Sequence, residues 1–245
     1  MKTAEAILIG LIIIAFLLLI KFNLDLSSEQ ADYFEPQDES VIHNNNNQFP
    51  ALYINLEHRL DRKNQIESEL QKVGIYNYQR FNAIKNEKGY LGCSESHLEC
   101  LKLARDNNYP NVMILEDDFE FVVDENTVQF ILNHLLTVDY DVFILSYNTY
   151  KKNITKTDDQ YLKRIKETQT ASGYIVNRKY YDTLISNFEE GLRLLQETDI
   201  YHKYAIDQYW KPLQSQDKWY CYKKRIGKQR DSYSDIVKGM VSYQV

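Results

Sequence analysis

The stretch VMILEDDFEF, residues 112–121, runs four apolar residues into three consecutive acids. Asn111–Leu115 reads as a buried strand, and Glu116, Asp117 and Asp118 stand at its carboxyl end. In α/β sheets ligands bind in the crevice beyond the carboxyl ends of strands, so this position favours function over a solvated turn. Three neighbouring carboxylates repel one another unless something positive stands among them. A bound divalent cation removes that repulsion. Mg²⁺ and Mn²⁺ take oxygen ligands and bind through one or two carboxylates plus substrate phosphates. On extended chain alternate side chains share a face, so Glu116 and Asp118 are expected on one side and Asp117 on the other.

Working outward, the flanking segments predict an α/β chain. ALYINL (51–56) reads as a buried strand, 59–74 as a helix stopped by Gly74, and 77–84 as a second short strand. Gly89 and Gly92 read as a turn, followed by a helix with Ser96 and Glu99 as a capping box and Pro110 as its stop. Beyond the acids, 127–136 reads as an amphipathic helix, 140–145 as a strand, 170–177 as a strand and 178–188 as a helix. Residues 148–168 are polar and aperiodic and read as a loop, and 200–236 as short strands and loops. There is no GxGxxG and no GxxxxGK, so neither Rossmann nor P-loop phosphate binding is supported.

Net charge is −6, which argues against a nucleic-acid partner, since such a protein needs a basic field to meet phosphates. Cys93, Cys100 and Cys221 are too few and too scattered for a disulfide framework. Cys93 and Cys100 read as small buried hydrophobes on one helix face.

Residues 6–20 (AILIGLIIIAFLLLI) carry no charge and are flanked by Lys2 and Lys21. With their edges they suffice for one membrane span, and the small-x-small pattern of a cleaved signal does not follow. The expected organisation is a membrane anchor at 1–24, a polar flexible stem at 25–49 and a catalytic domain at 50–245. Basic residues are balanced around the anchor. An amino-terminal anchor before a soluble domain nevertheless resembles a single-pass type II enzyme facing a lumen, and the sequon at Asn153 is compatible with that side.

Seven motifs occur in order: YINLEHRLDR (53–62), RFNAI (80–84), GYLGCSESH (89–97), ILEDDFEF (114–121), TASGYIVNRK (170–179), AIDQYW (205–210) and SYSDI (232–236). Together they resemble glycosyltransferase family 25, which includes lipooligosaccharide and procollagen galactosyltransferases. The resemblance implies a GT-A-type fold with a mostly parallel mixed sheet, a UDP-sugar donor and Mn²⁺ or Mg²⁺. It also implies transfer of a hexose, galactose or glucose, with inversion, to a hydroxyl of a glycan, glycolipid or protein. Glu116 and Asp118 match the family's metal motif, Asn55 and Arg62 its opening strand and loop near the nucleotide. Gly92, Ser96 and His97 match its Gly-x-x-x-Ser-His element, and Asp207 its later acid. Residues 148–168 match no motif.

The chemistry assigns roles to these groups. Asp207 is the candidate general base, with Glu197 and Asp199 as alternatives, and Trp210 beside it can stack on a sugar ring or sit in the core. His97, expected in the first turn of its helix, can meet a diphosphate there or bond a nearby carbonyl. Arg62 can meet a phosphate or be a solvated helix cation. Asp117 can hold a ribose or cap a turn, and Asp235 can close the site or belong to a surface turn. Two rivals stand beside the transferase: a non-catalytic binding or structural protein on the same scaffold, and a nucleotidyltransferase.

Overall fold

The computed structural model describes residues 48–234 and 239–241. The expected anchor, nearly all of the stem and Asp235 lie outside the described residues. Among the described residues no helix is long and apolar enough to cross a membrane.

The chain opens with β1 (Ala51–Asn55), α1 (Leu60–Lys72), β2 (Tyr78–Asn82), α2 (Gly89–Asp106) and β3 (Asn111–Glu116). A short β4 (Phe119–Phe121) follows the acids, then α3 (Glu125–Leu135) and β5 (Val142–Ile144). Next come β6 (Ile154–Lys156), β7 (Leu162–Ile165), β8 (Gly173–Asn177) and the long α4 (Tyr181–Thr198). Three short helices, α5 (Tyr201–Tyr204), α6 (Ile206–Tyr209) and α7 (Lys211–Gln216), lead to β9 (Trp219–Tyr222) and β10 (Gly227–Gln229). The described residues end with β11 (Ser232–Ser234) and β12 (Gly239–Val241), an antiparallel pair.

Eight strands form one sheet in the order β2-β1-β3-β8-β5-β9-β7-β6, and β10 pairs separately with β4. Pairing is parallel across β2-β1-β3 and between β5 and β9, and antiparallel elsewhere. The sheet is therefore mixed, with three parallel pairings out of seven, two at one end and one inside, rather than parallel for most of its width.

Both faces of the sheet are buried, and strand alternation divides the core between them. Leu52, Val112, Ile114, Val142, Tyr174 and Val176 belong to one apolar cluster, which α2 and α4 complete through Leu98, Leu101, Leu184 and Phe188. Tyr53, Met113, Leu115, Phe143 and Ile175 belong to the other, completed by Ile66 and Leu70 of α1 and Ile131 and Leu132 of α3. The apolar runs of these strands follow from that: a strand covered on both sides has no polar face to show.

Three expectations are corrected here. Residues 148–168 are not an open loop; they carry the β6–β7 hairpin at the sheet edge. Its strands are too short and too charged to show apolar alternation, with Lys156 opposite Lys163, a composition that discourages further pairing along an edge. Gly89 and Gly92 make no turn before a helix but lie inside α2. Residues 201–216 are helical, where strands and loops were expected.

Gly74 does end α1. Its φ is +73°, the Gly74 amide donates to Gln71 O at 3.1 Å and the Ile75 amide to Leu70 O at 2.9 Å, a Schellman closure. A Cβ there would stand 2.4 Å from Glu125 Oε1. Gly74→Ala is expected to destabilise the fold by at least about 1–2 kcal/mol, the cost of a left-handed non-glycine residue, read as a lower urea midpoint with unchanged slope.

Candidate functional site

β1, β2 and β3 run in the same direction and end at one edge of the sheet, with Ile54 beside Glu116 and Asn55 beside Asn82. The chain leaves β1 for β2 on one side and returns to β3 on the other. A crevice opens where the winding reverses, as doubly wound sheets require. A cavity of ≈ 480 Å³ lies there, in the size range of small-ligand pockets. Its wall includes Leu56 after β1, Arg62 of α1, the segment 83–87, one side of the first half of α2 and the acid triplet.

All three acids line this cavity, so the expected turning away of Asp117 does not occur. β3 ends at Glu116, and Asp117 and Asp118 form a turn into β4, so the alternation of extended chain stops before it can separate them. The positive group among them belongs to the protein. Arg62 Nη1 stands 2.8 Å from Asp117 Oδ1 and 3.5 Å from Asp118 Oδ2. Arg62 is 9% exposed and is no solvated helix cation. Asn55 donates through Nδ2 to Asp117 Oδ2 at 2.7 Å and to Arg59 O at 3.0 Å. It is fully buried behind the wall, so it positions Asp117 rather than touching a ligand.

Asp118 is less completely satisfied. Gln229 donates to Oδ2 at 3.1 Å, while Oδ1 is buried and has no hydrogen-bond partner among the described residues. Burial, and next the charge of Glu116, push its carboxyl up to about 7. Burial also raises Asp117 against the opposing pull of Arg62 and Asn55. Glu116 Oε1 lies 3.2 Å from His97 Nε2 and accepts from the Cys93 thiol at 3.7 Å. An orphaned carboxylate oxygen beside a second carboxylate fits a hard divalent cation, which prefers oxygen donors and would relieve the repulsion that lifts Asp118.

α2 carries the other wall. Gly92 permits its approach to the 83–87 segment: a Cβ would sit 2.3 Å from Ile84 O. Ser96 is no capping residue, because α2 begins seven residues earlier. Its hydroxyl donates to Gly92 O at 2.6 Å and accepts from the Ile84 amide at 2.9 Å, tying helix to segment. His97 likewise lies well inside α2, where helical N–H groups are already bonded, so the anion-binding role expected of a first turn is withdrawn. It is fully buried, with Nδ1 2.9 Å from Tyr174 Oη and Nε2 toward Glu116.

Two further expectations change. Trp210 does not reach a sugar site; it is fully buried against Tyr174, Phe188 and Trp219. Asp207 is half-buried and does not line the cavity. Its Oδ2 accepts from the Thr170 amide at 3.1 Å, burial and, to a lesser degree, the charge of Glu116 raise its carboxyl, and its own charge helps raise the Cys93 thiol. Of the alternative bases, Glu197 pairs with Arg193 and Asp199 with Lys88, both at the surface.

Cys93 and Gln229 are among the lining residues that sequence reasoning misses. Cys93 has the pattern of a core hydrophobe yet lines the cavity, and only the β10–β4 pairing brings Gln229 to Asp118. The i, i+4 spacing of Cys93 and His97 was the available signal for the first. Gln229 had none.

The model of glycosyltransferase family 25 (LPS biosynthesis protein) matches residues 87–208, a span holding the acid triplet, Cys93, His97 and Asp207 but neither Asn55 nor Arg62. No curated protein matches the sequence. Among solved structures, the chain is similar to mannose-1-phosphate geranyltransferase from Thermus thermophilus, at 11% identity and TM-score 0.44, covering 75% of this chain and 74% of that one. It is also similar to a glycosyltransferase involved in glycosylation of the major capsid of PBCV-1, at 9% identity and TM-score 0.39, covering 71% and 92%. A third is A197 from STIV, at 11% identity and TM-score 0.39, covering 71% and 81%.

Two outcomes follow from the charges. Folded Asp118 keeps its proton up to about 7, whereas an ordinary aspartate loses it near 3.8. Between those values the folded state binds more protons, so stability falls as pH rises from about 4 to 7. In chelator the urea midpoint is expected to decline over that window, and Asp118→Asn to flatten the decline. Arg62→Met leaves two buried carboxylates unpaired and is expected to cost about 3–5 kcal/mol at pH 7, partly recovered by adding Asp117→Asn, in the same denaturation assay.

Proposed function

With residues 87–208 placing the chain in glycosyltransferase family 25, we propose that it is a metal-dependent inverting hexosyltransferase. The donor is a UDP-sugar carrying galactose or glucose, and the acceptor a hydroxyl of a glycan, glycolipid or protein. The single observation that carries this reading is the ≈ 480 Å³ cavity with Glu116 and Asp118 on its wall and Asp118 Oδ1 left without a partner.

In this reading Glu116 and Asp118 hold Mn²⁺ or Mg²⁺. Such an ion supplies Lewis acidity to the oxygens of the departing diphosphate. Arg62 offsets the repulsion between the two aspartates and fixes the aim of Asp118. Asp117, held by Asn55 and Arg62, offers its carboxylate edge to a ribose hydroxyl. Inversion needs the acceptor hydroxyl to attack from the face opposite the diphosphate and to lose its proton. Asp207, outside the cavity wall and without an ion pair among the described residues, is assigned that proton, whereas Glu197 and Asp199 are engaged in surface ion pairs. A positioned base is typically worth ~10²–10⁴-fold. The proposal extends to residues 6–20 as a membrane anchor and to a lumenal catalytic domain.

One observation favours the rival reading of a non-catalytic scaffold. Arg62 already neutralises part of the acid triplet, and a chain without a cation would need such a guanidinium.

UDP release from a panel of UDP-hexoses with Mn²⁺ separates the two. Turnover is expected with at least one donor, to vanish in chelator, and to fall about 10²–10⁴-fold in kcat for Asp207→Asn with little change in KM. Asp118→Asn is expected to remove metal-dependent turnover. No release from any UDP-sugar with either metal would leave the scaffold reading standing, and a preference for nucleoside triphosphates would indicate nucleotidyl transfer.

A further inference from the structure

Glu116 has a second pair of neighbours besides the aspartates. Cys93 and His97 lie four residues apart on α2 and so share a face. Their Sγ and ring nitrogen, with a Glu116 carboxylate oxygen, all lie within 4.8 Å of one another. His97 Nε2 is 3.2 Å and Cys93 Sγ 3.7 Å from the same Oε1. A tetrahedral ion with zinc's bond lengths sets nitrogen and oxygen about 3.3 Å apart, and sulfur and oxygen about 3.5 Å apart. Two edges of such a tetrahedron are therefore already in place. The outer side of the imidazole is also prepared. Tyr174 Oη is 2.9 Å from Nδ1 and its ring stacks on His97. With Nδ1–H donating to that oxygen, the Nε2 lone pair is free for a metal, the usual arrangement around a ligating histidine.

We propose that Cys93, His97 and Glu116 form a three-ligand site for a borderline-soft divalent ion of the Zn²⁺ class, its fourth position open to the cavity. Thiolate and imidazole select such an ion over Mg²⁺, which prefers oxygen. Binding forms the sulfur–metal bond and breaks the Cys93 S–H bond, the proton passing to solvent. Glu116 belongs to both this set and the carboxylate pair, so an ion here withdraws one ligand from the other. The site shares Glu116 with the transfer reading but does not require that the protein move a sugar.

Co²⁺ serves as the probe, titrated into the full, reduced chain. A saturable thiolate-to-cobalt charge-transfer absorbance is expected, displaced by Zn²⁺ and resistant to excess Mg²⁺. It should disappear in Cys93→Ser. Tyr174→Phe keeps all three ligands and should weaken Co²⁺ binding about 10–100-fold, with circular dichroism checking that each variant folds. No band, a band that survives Cys93→Ser, or displacement by Mg²⁺ at equal concentration overturns the site. UDP-sugar turnover measured in parallel separates the two readings: a band without turnover sinks transfer alone, and turnover without a band sinks this site alone.

Discussion

The Arg62 guanidinium, 2.8 Å from Asp117 and 3.5 Å from Asp118, is the contact on which the rest of the site depends. Three adjacent acids at the end of a buried strand do not hold a tight turn by themselves, because their charges repel and burial costs each of them its hydration. Arg62 comes from the first turn of α1, and α1 is fixed on the sheet by Ile66 and Leu70. The position of the charge therefore rests on ordinary apolar packing within the next two turns of the same helix. Asn55 completes the arrangement from the end of β1 by holding the other oxygen of Asp117.

The neighbours make that arrangement unequal. Asp117 has a cation and an amide; Asp118 has one amide, a partly shared cation and a bare oxygen; Glu116 has an imidazole and a thiol. Three residues of nearly the same chemistry thus face one cavity with three different demands. The unmet demand at Asp118 is the feature on which the proposed cation site rests, and the nitrogen and sulfur at Glu116 are what would make its neighbourhood selective among cations.

Much of this was legible in the residues. The strand at 111–115, the placement of the acids at its end and the helix stop at Gly74 follow from patterns that act over a few residues, whereas Asn55, Arg62, Gly92, Ser96 and His97 were singled out by the ordered motifs of the family resemblance. The errors have a common cause. Ser96 looks like a helix cap because its type and its spacing to Glu99 are those of one, but its hydroxyl bonds a segment twelve residues away. Gly92 looks like a turn because glycine usually relieves backbone strain, while here it makes room for Ile84 O. Trp210 beside Asp207 looks like a sugar platform until the aromatic cluster around it is seen.

What the sequence determined by itself is the set of elements and the kind of chemistry: apolar runs long enough to be strands covered on both faces, and acids at the end of one of them. Local patterning suffices there, because period and residue type act through neighbours in the chain. Which groups meet was decided only in three dimensions. The pairing of Arg62 with residues more than fifty positions on, the seating of Gln229 on Asp118 and the gathering of Cys93, His97 and Glu116 all depend on strand order and helix packing. Those are set by the burial of the whole sheet, a quantity no single stretch of residues contains.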